Sequence, residues 1–218
     1  MMLRKLIGFT VLATFAILFA QIPSSTACMC MPEHSQTSYC RADYVILARV
    51  LRKAARKIKG DTVYKIEIKK TYKKSSRTDE YLKDGRLLTP SEESMCGVNL
   101  TVGKLYLIAG RTSKLSICNY IKEYSQMSIV ERRGFAGAYK KGCTCEIKPM
   151  FRLEGFHLHE GQCNWRPTSK CETDFGVCVP SRGHLTDMGK PVKCHWRNSQ
   201  PYATCLNKSF LESRYHHV

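Results

Sequence analysis

All twelve cysteines of the 218-residue chain lie beyond residue 27, and that placement limits the fold more than any other feature. Ahead of them, Arg4 and Lys5 precede an apolar run from Leu6 to Ile22. Ser25 and Ala27 then occupy the −3 and −1 positions of a small-residue cleavage site. Residues 1–27 therefore read as a removable secretory signal, with a membrane anchor as the alternative. The apolar core is short and no later stretch has spanning length, so no membrane span is expected. An exported chain with an even number of cysteines defaults to disulfides, here six. A zinc-ribbon reading of Cys28-x-Cys30 and Cys143-x-Cys145 competes weakly, because structural zinc sites favour Cys-x-x-Cys spacing and exported thiols oxidise.

Cleavage after Ala27 exposes the α-amine of Cys28, at the head of Cys28-Met29-Cys30-Met31-Pro32. The amine and carbonyl of one residue form a five-membered chelate for a metal ion, and a disulfide at each cysteine would hold that chelate rigidly at a surface. The plainer alternative is two ordinary bridge cysteines with no metal role. Of the 35 Lys and Arg only Arg4 and Lys5 leave with the signal, and none of the 18 Asp and Glu does, so the net charge falls from +17 to +15. Such a balance favours polyanions. Export replaces nucleic acid with sulfated glycosaminoglycans or acidic membrane surfaces as the candidates, beside the alternative of a merely soluble basic surface.

Residues 34–43 suggest a short helical turn or loop pinned by Cys40. Tyr44 to Leu51 reads as a buried strand. A basic run follows (Arg52, Lys53, Arg56, Lys57, Lys59), ending in the turn signal Gly60-Asp61. Thr62 to Tyr72 alternates, with Val63, Lys65, Glu67 and Lys69 against Tyr64, Ile66 and Ile68, which predicts a half-buried strand closing a hairpin with a basic tip. Residues 75–95 look irregular. Cys96–Val102, Lys104–Ala109 and Leu115–Tyr120 read as three more strands. Ser128 and Glu131 fit a capping box opening a helix towards Tyr139, weakened by Gly134 and Gly137. The expected fold is mainly β, a small five-stranded barrel of the OB type with flanking helices. After Cys145 the apolar periodicity fades, which predicts a small disulfide-rich C-terminal module with Trp165 and Trp196 as packing anchors. The expected division is signal 1–27, barrel domain 28–144 and C-terminal domain 145–218.

Cys28-x-Cys30-x-Pro32 with Cys40 resembles the opening of the tissue inhibitors of metalloproteinases, most of all insect members. The resemblance continues through Asp43-Tyr44-Val45, Ser94-Met95-Cys96-Gly97-Val98, Cys118-Asn119-Tyr120 and Cys143-x-Cys145, and more loosely through Cys163, Cys178 and Cys194-His195-Trp196. It implies a netrin-like OB-fold inhibitory domain and a C-terminal module that modulates partner choice. It also implies the bridges Cys28–Cys96, Cys30–Cys118 and Cys40–Cys143, and by analogy Cys145–Cys194 and Cys163–Cys178. Two cysteines usual just after Cys145 are missing. Cys171 and Cys205 are left over and are paired as an extra bridge, although six cysteines allow fifteen connectivities.

By the same resemblance the chain is an inhibitor rather than an enzyme, with no cofactor of its own. The Cys28 amine and carbonyl would bind the catalytic zinc of a target metalloproteinase, 1:1, as a monomer. Met29 would enter the pocket just past the scissile bond, where the family usually has Thr or Ser. Met31, Pro32, Ser94, Met95 and Cys96 would complete an inhibitory ridge around Cys28 and Cys30. No nucleophile–base pair, HExxH or phosphate loop appears. The rival reading is a non-inhibitory glycosaminoglycan-, extracellular-matrix- or growth-factor-binding module. A basic membrane-active protein ranks below both, for want of an amphipathic cationic helix. Asn99-Leu-Thr101 and Asn207-Lys-Ser209 are N-glycosylation patterns. His157-x-His159 with Glu160, and His216-His217, are weak metal candidates against surface decoration.

Overall fold

The computed structural model describes residues 28–55, 57–151, 161–181 and 193–215. Residues 1–27, expected to be a signal, lie outside the described residues, as do Arg56, His157, His159, Glu160 and the His216-His217 pair. Among those described, no helix is long and apolar enough to cross a membrane.

A first short helix, α1 (Ser35–Arg41), is capped by the His34 ring, whose Nδ1 accepts from Gln36 N at 3.1 Å. Five strands follow: β1 (Tyr44–Lys53), β2 (Asp61–Lys74), β3 (Arg86–Pro90), β4 (Leu105–Gly110) and β5 (Tyr120–Glu123). They form one antiparallel sheet in the order β3-β2-β1-β4-β5. Three register shifts between β1 and β2 coil this long hairpin, as bulges do. The free edge of β3 is met by residues 113–115, where Leu88 N donates to Ser113 O and Leu115 N to Leu88 O. The sheet is thereby curled on itself, as an OB-type barrel requires.

Over residues 44–48 β1 is buried on both faces, which explains the unbroken apolar run there. Tyr44, Ile46, Ala48 and Val50 point into the curl with Tyr64, Ile66, Leu87, Leu100, Tyr106, Ile108 and Leu115. Val45 and Leu47 point outward with Leu107 and Ala109, onto Tyr39, Met127, Phe135, Tyr139 and Val177.

Several expectations from the sequence need correction. Cys96–Val102 is not a strand: Cys96 sits at φ +65° and Gly97 is pinched where a Cβ would overlap the carbonyl oxygens of Pro90 and Glu92, so the chain turns there. Leu115–Tyr120 is not a strand either, because Asn119 Oδ1 accepts from Ser116 N and Oγ and folds 116–119 into a turn; β5 begins only at Tyr120. The missing strand is β3, inside the stretch that reads as irregular. On β2 the apolar face stops at Ile66, since Ile68 is exposed and Val63 is buried on the opposite face. The helix opened by Ser128, α3 (Ile129–Phe135), follows a single turn α2 (Thr78–Tyr81) and ends well before Tyr139, because Gly137 at φ +137° breaks it. A 3-10 segment, Ala138–Gly142, carries Tyr139 instead.

Beyond Cys145 come β6 (Glu146–Pro149) parallel to β7 (Gln162–Trp165), α4 (Lys170–Phe175), β8 (Cys178–Pro180) antiparallel to β9 (Cys194–Trp196), and α5 (Gln200–Tyr215). Their core is Cys145, Ile147, Cys163, Trp165 and Cys178, with Cys194 and Trp196 packed against it. The first helix plugs into this segment. Gln36 Nε2 donates to Gly142 O (3.0 Å) and Cys178 O (2.8 Å), while its Oε1 accepts from Cys178 N at 2.9 Å. The neighbouring His34 ring lies between Trp165 and Trp196, with centroid separations of 5.4 and 5.3 Å.

Candidate functional site

Residues 28–33 have no regular structure, and no helix or sheet ladder fixes their course. Two disulfides do. Cys28 is bridged to Cys96 and Cys30 to Cys118, with Cα separations of 5.4 and 5.3 Å. The segment is thus clamped between two turns, one at 92–97 and one at 116–119. The first is held by Met95 N and Gly97 N, which both donate to Glu92 O at 3.1 Å, and by Val98 N donating to Thr89 Oγ1 at 2.8 Å. The second is tied back to the first where Ile117 N donates to Cys96 O at 3.1 Å. The Cys28 sulfur, having no hydrogen to donate, only touches Ser94 O at 3.7 Å.

Immediately after Glu33 the chain dives inward, and His34 is 1% exposed. Its Nε2 lies 3.0 Å from Glu172 O, so Nδ1 is the acceptor and Nε2 the donor of a neutral ring. Burial lowers its pKa from 6.5 to about 4, against the opposing pull of the Glu172 carbonyl and the Glu131 charge. A third bridge, Cys40–Cys143, fixes the far end of α1. The presented segment therefore projects from an anchored base.

What it presents is apolar. Met29 is 89% exposed, Met31 68% and Met95 54%; Pro32 and Ser94 are exposed too, and Cys28, Cys30 and Cys96 half-buried. Ile117, which carries no signal in the sequence beyond its place beside Cys118, is also exposed. On one flank, Met29, Met31, Pro32, Glu146, Pro149 and Trp165 border a groove of about 370 Å³.

The base has a buried carboxylate, 2% exposed, that sequence reading assigns only to a helix cap. Ser128 Oγ does accept from Glu131 N at 3.0 Å. The Glu131 carboxylate does not return to its own cap. It accepts instead from Ser35 Oγ (3.1 Å), Tyr120 hydroxyl (2.5 Å) and Lys122 Nζ (2.9 Å), joining α1, β5 and α3. Burial, aided by the Glu131 charge, raises the Tyr120 and Tyr139 hydroxyls above their ordinary pKa, so both stay protonated, and Tyr120 donates its proton to Glu131.

All twelve cysteines are bridged, the remaining pairs being Cys145–Cys194, Cys163–Cys178 and Cys171–Cys205. This removes the zinc-ribbon alternative. The sulfurs of Cys145, Cys178 and Cys194 lie within 4.8 Å of one another, but they are disulfide sulfurs with no thiolate to offer a metal. Asn99 is exposed at the end of the first turn region, its Oδ1 accepting from Tyr64 hydroxyl at 3.3 Å, and Asn207 is exposed on α5.

The family described as Tissue inhibitor of metalloproteinase matches residues 26–196. The chain is similar to the Tissue inhibitor of metalloproteinase of Drosophila melanogaster, 42% identical over 94% of this chain and 98% of the relative. It is similar also to Metalloproteinase inhibitor 3 of Xenopus laevis, at 31% over 90% and 94%, and of Scyliorhinus torazame, at 35% over 65% and 68%.

Proposed function

The chain belongs to the tissue inhibitor of metalloproteinase family, and from that premise we propose that it blocks zinc metalloproteinases through the N-terminal ridge Cys28–Pro32 with Ser94, Met95 and Cys96. It is a protein inhibitor, not an enzyme. The observation that carries the mechanism is the double clamp on an exposed, otherwise unstructured segment whose next residue is buried.

Removal of residues 1–27 frees the Cys28 amine. A catalytic zinc keeps one coordination position for water. The Cys28 nitrogen would take that position, with the carbonyl oxygen as a second donor to the metal, and the displaced water is the nucleophile the protease needs. The amine binds only when neutral, so the metal competes with a proton that an ordinary α-amine holds below about pH 7.7–8.0. Each clamp closes a long loop, with sequence separations of 68 and 88, worth on the order of 4 kcal/mol in the chain-entropy view. More important for binding, the clamps remove the ordering cost of a loose terminus.

Met29, the most exposed apolar side chain of the ridge, fills the pocket beyond the scissile bond. It is longer and more adaptable than a hydroxyl residue, which favours enzymes with deep apolar pockets. Residues 28–144 form the inhibitory domain and 145–218 a second domain that adjusts partner choice, seated through His34 and Gln36. The chain acts outside the cell, and its +15 surplus holds it on sulfated glycosaminoglycans, although on β2 two of the lysines, Lys69 and Lys74, are already paired with Glu67 and Asp79.

The test is titration of the purified mature protein against a panel of active-site-quantified metalloproteinase catalytic domains. Inhibition with a 1:1 end point is expected. Absence of inhibition across the panel, with retention on heparin, would favour the matrix-binding reading.

A further inference from the structure

Among the described residues, the ridge concentrates the exposed thioethers. Met29, Met31 and Met95 stand out in solvent, whereas Met127 is 4% exposed beneath the sheet and Met150 is half-buried. With all twelve cysteines bridged, no free thiol competes for an oxidant. Thioether oxidation follows exposure, so among the described methionines those of the ridge are the first a two-electron oxidant meets.

We propose that Met29 is a modification site, and that its oxidation to the sulfoxide by a peroxide or hypohalous acid switches inhibition off reversibly. The inference rests on the reading that Met29 enters the protease pocket. With hydrogen peroxide the sulfur lone pair attacks one peroxide oxygen, the S–O bond forms and the O–O bond breaks. The proton on the transferred oxygen passes to the departing hydroxide, which leaves as water; the thioether is oxidised and the peroxide reduced. The product is polar and chiral where the parent side chain was apolar and adaptable. In an apolar pocket its oxygen loses water without gaining a donor, a penalty equivalent to about 10- to 100-fold weaker inhibition. The clamps at Cys28–Cys96 and Cys30–Cys118 are untouched, so the zinc-binding nitrogen stays in place and the loss is confined to the pocket.

The experiment treats the mature protein with graded hydrogen peroxide, quenches it, and maps added oxygen on each methionine peptide by mass. The same samples are titrated against a metalloproteinase catalytic domain. Potency should fall in proportion to the Met29 sulfoxide fraction, by about tenfold or more at completion, with Met127 unmodified. Methionine sulfoxide reductases should restore it. In Met29→Leu, whatever that variant's own potency, oxidised and untreated samples should inhibit alike. Full Met29 oxidation with unchanged potency would overturn the proposal. So would a Met29→Leu variant that loses potency in the same proportion as the parent, since the damage would then lie elsewhere. Untreated parent that fails to inhibit would overturn the ridge reading itself, and this inference with it.

Discussion

His34 couples the base of the ridge to acidity. Its ring keeps Nδ1 as an acceptor for Gln36 N and donates from Nε2 to Glu172 O, an arrangement open only to the neutral form. Burial sets its pKa at about 4 in the folded protein, against 6.5 when unfolded. With the folded value depressed, the unfolded chain binds the proton first as pH falls below 6.5. Stability is then lost progressively until the folded ring protonates near pH 4. The gap amounts to about 3 kcal/mol in full and about 2 kcal/mol by pH 5. Glu172, whose carboxyl burial raises, works in the opposite direction, since acidification relieves its charged form. That contribution is shared by a His34→Gln variant and cancels in the comparison. Urea unfolding with the bridges intact, followed by tryptophan fluorescence, reads the same site, because Trp165 and Trp196 flank the ring. Between pH 7.5 and pH 5 the parent should lose about 2 kcal/mol more than His34→Gln. Equal losses would refute the reasoning.

Glu131→Gln removes the charge that gathers donors from Ser35, Tyr120 and Lys122. It should cost about 2 kcal/mol, discounted for the partly exposed Lys122, and appear as a lower urea midpoint at unchanged m. Inhibition itself should weaken on acidification, by up to about tenfold per pH unit below the amine's pKa; a flat inhibition constant from pH 8 to pH 6, after correction for the enzyme's own profile, would contradict this. Met29→Thr should narrow the preference for deep-pocket over shallow-pocket metalloproteinases, measured as a ratio of inhibition constants. An unchanged ratio would remove Met29 from the pocket.

The β1 and β2 hairpin is legible because its signal is local: an apolar run over residues 44–48, buried on both faces, and Gly60 in the turn, with Asp61 already opening β2. β3 is not, because Arg86-Leu-Leu-Thr-Pro90 is five residues long and owes its strand to the partner β2 and the 113–115 segment rather than to its own pattern. Cys96–Val102 erred the other way. Its residues are strand formers, but the left-handed Cys96 and the crowded Gly97 bend it around the clamp. Ser128 is readable as a cap, whereas the destination of the Glu131 carboxylate depends on Ser35, nearly a hundred positions away, and on Tyr120 and Lys122 of β5. The ridge residues follow from the resemblance, Cys28–Pro32 through the opening motif and Ser94, Met95 and Cys96 through a separate match. Their exposure, the burial of His34 and the Gln36 bonds to Cys178 arise from long-range packing that no local spacing encodes.

The amino nitrogen of Cys28 is the atom on which the proposed inhibition depends. The direct measurement is the inhibition constant of mature protein beginning at Cys28, its terminus verified by mass, beside the same protein with one alanine added in front. The Cys28-first form should inhibit a metalloproteinase catalytic domain and the extended form should not, with urea stability unchanged between them. Equal inhibition by the two would contradict zinc capture by that nitrogen.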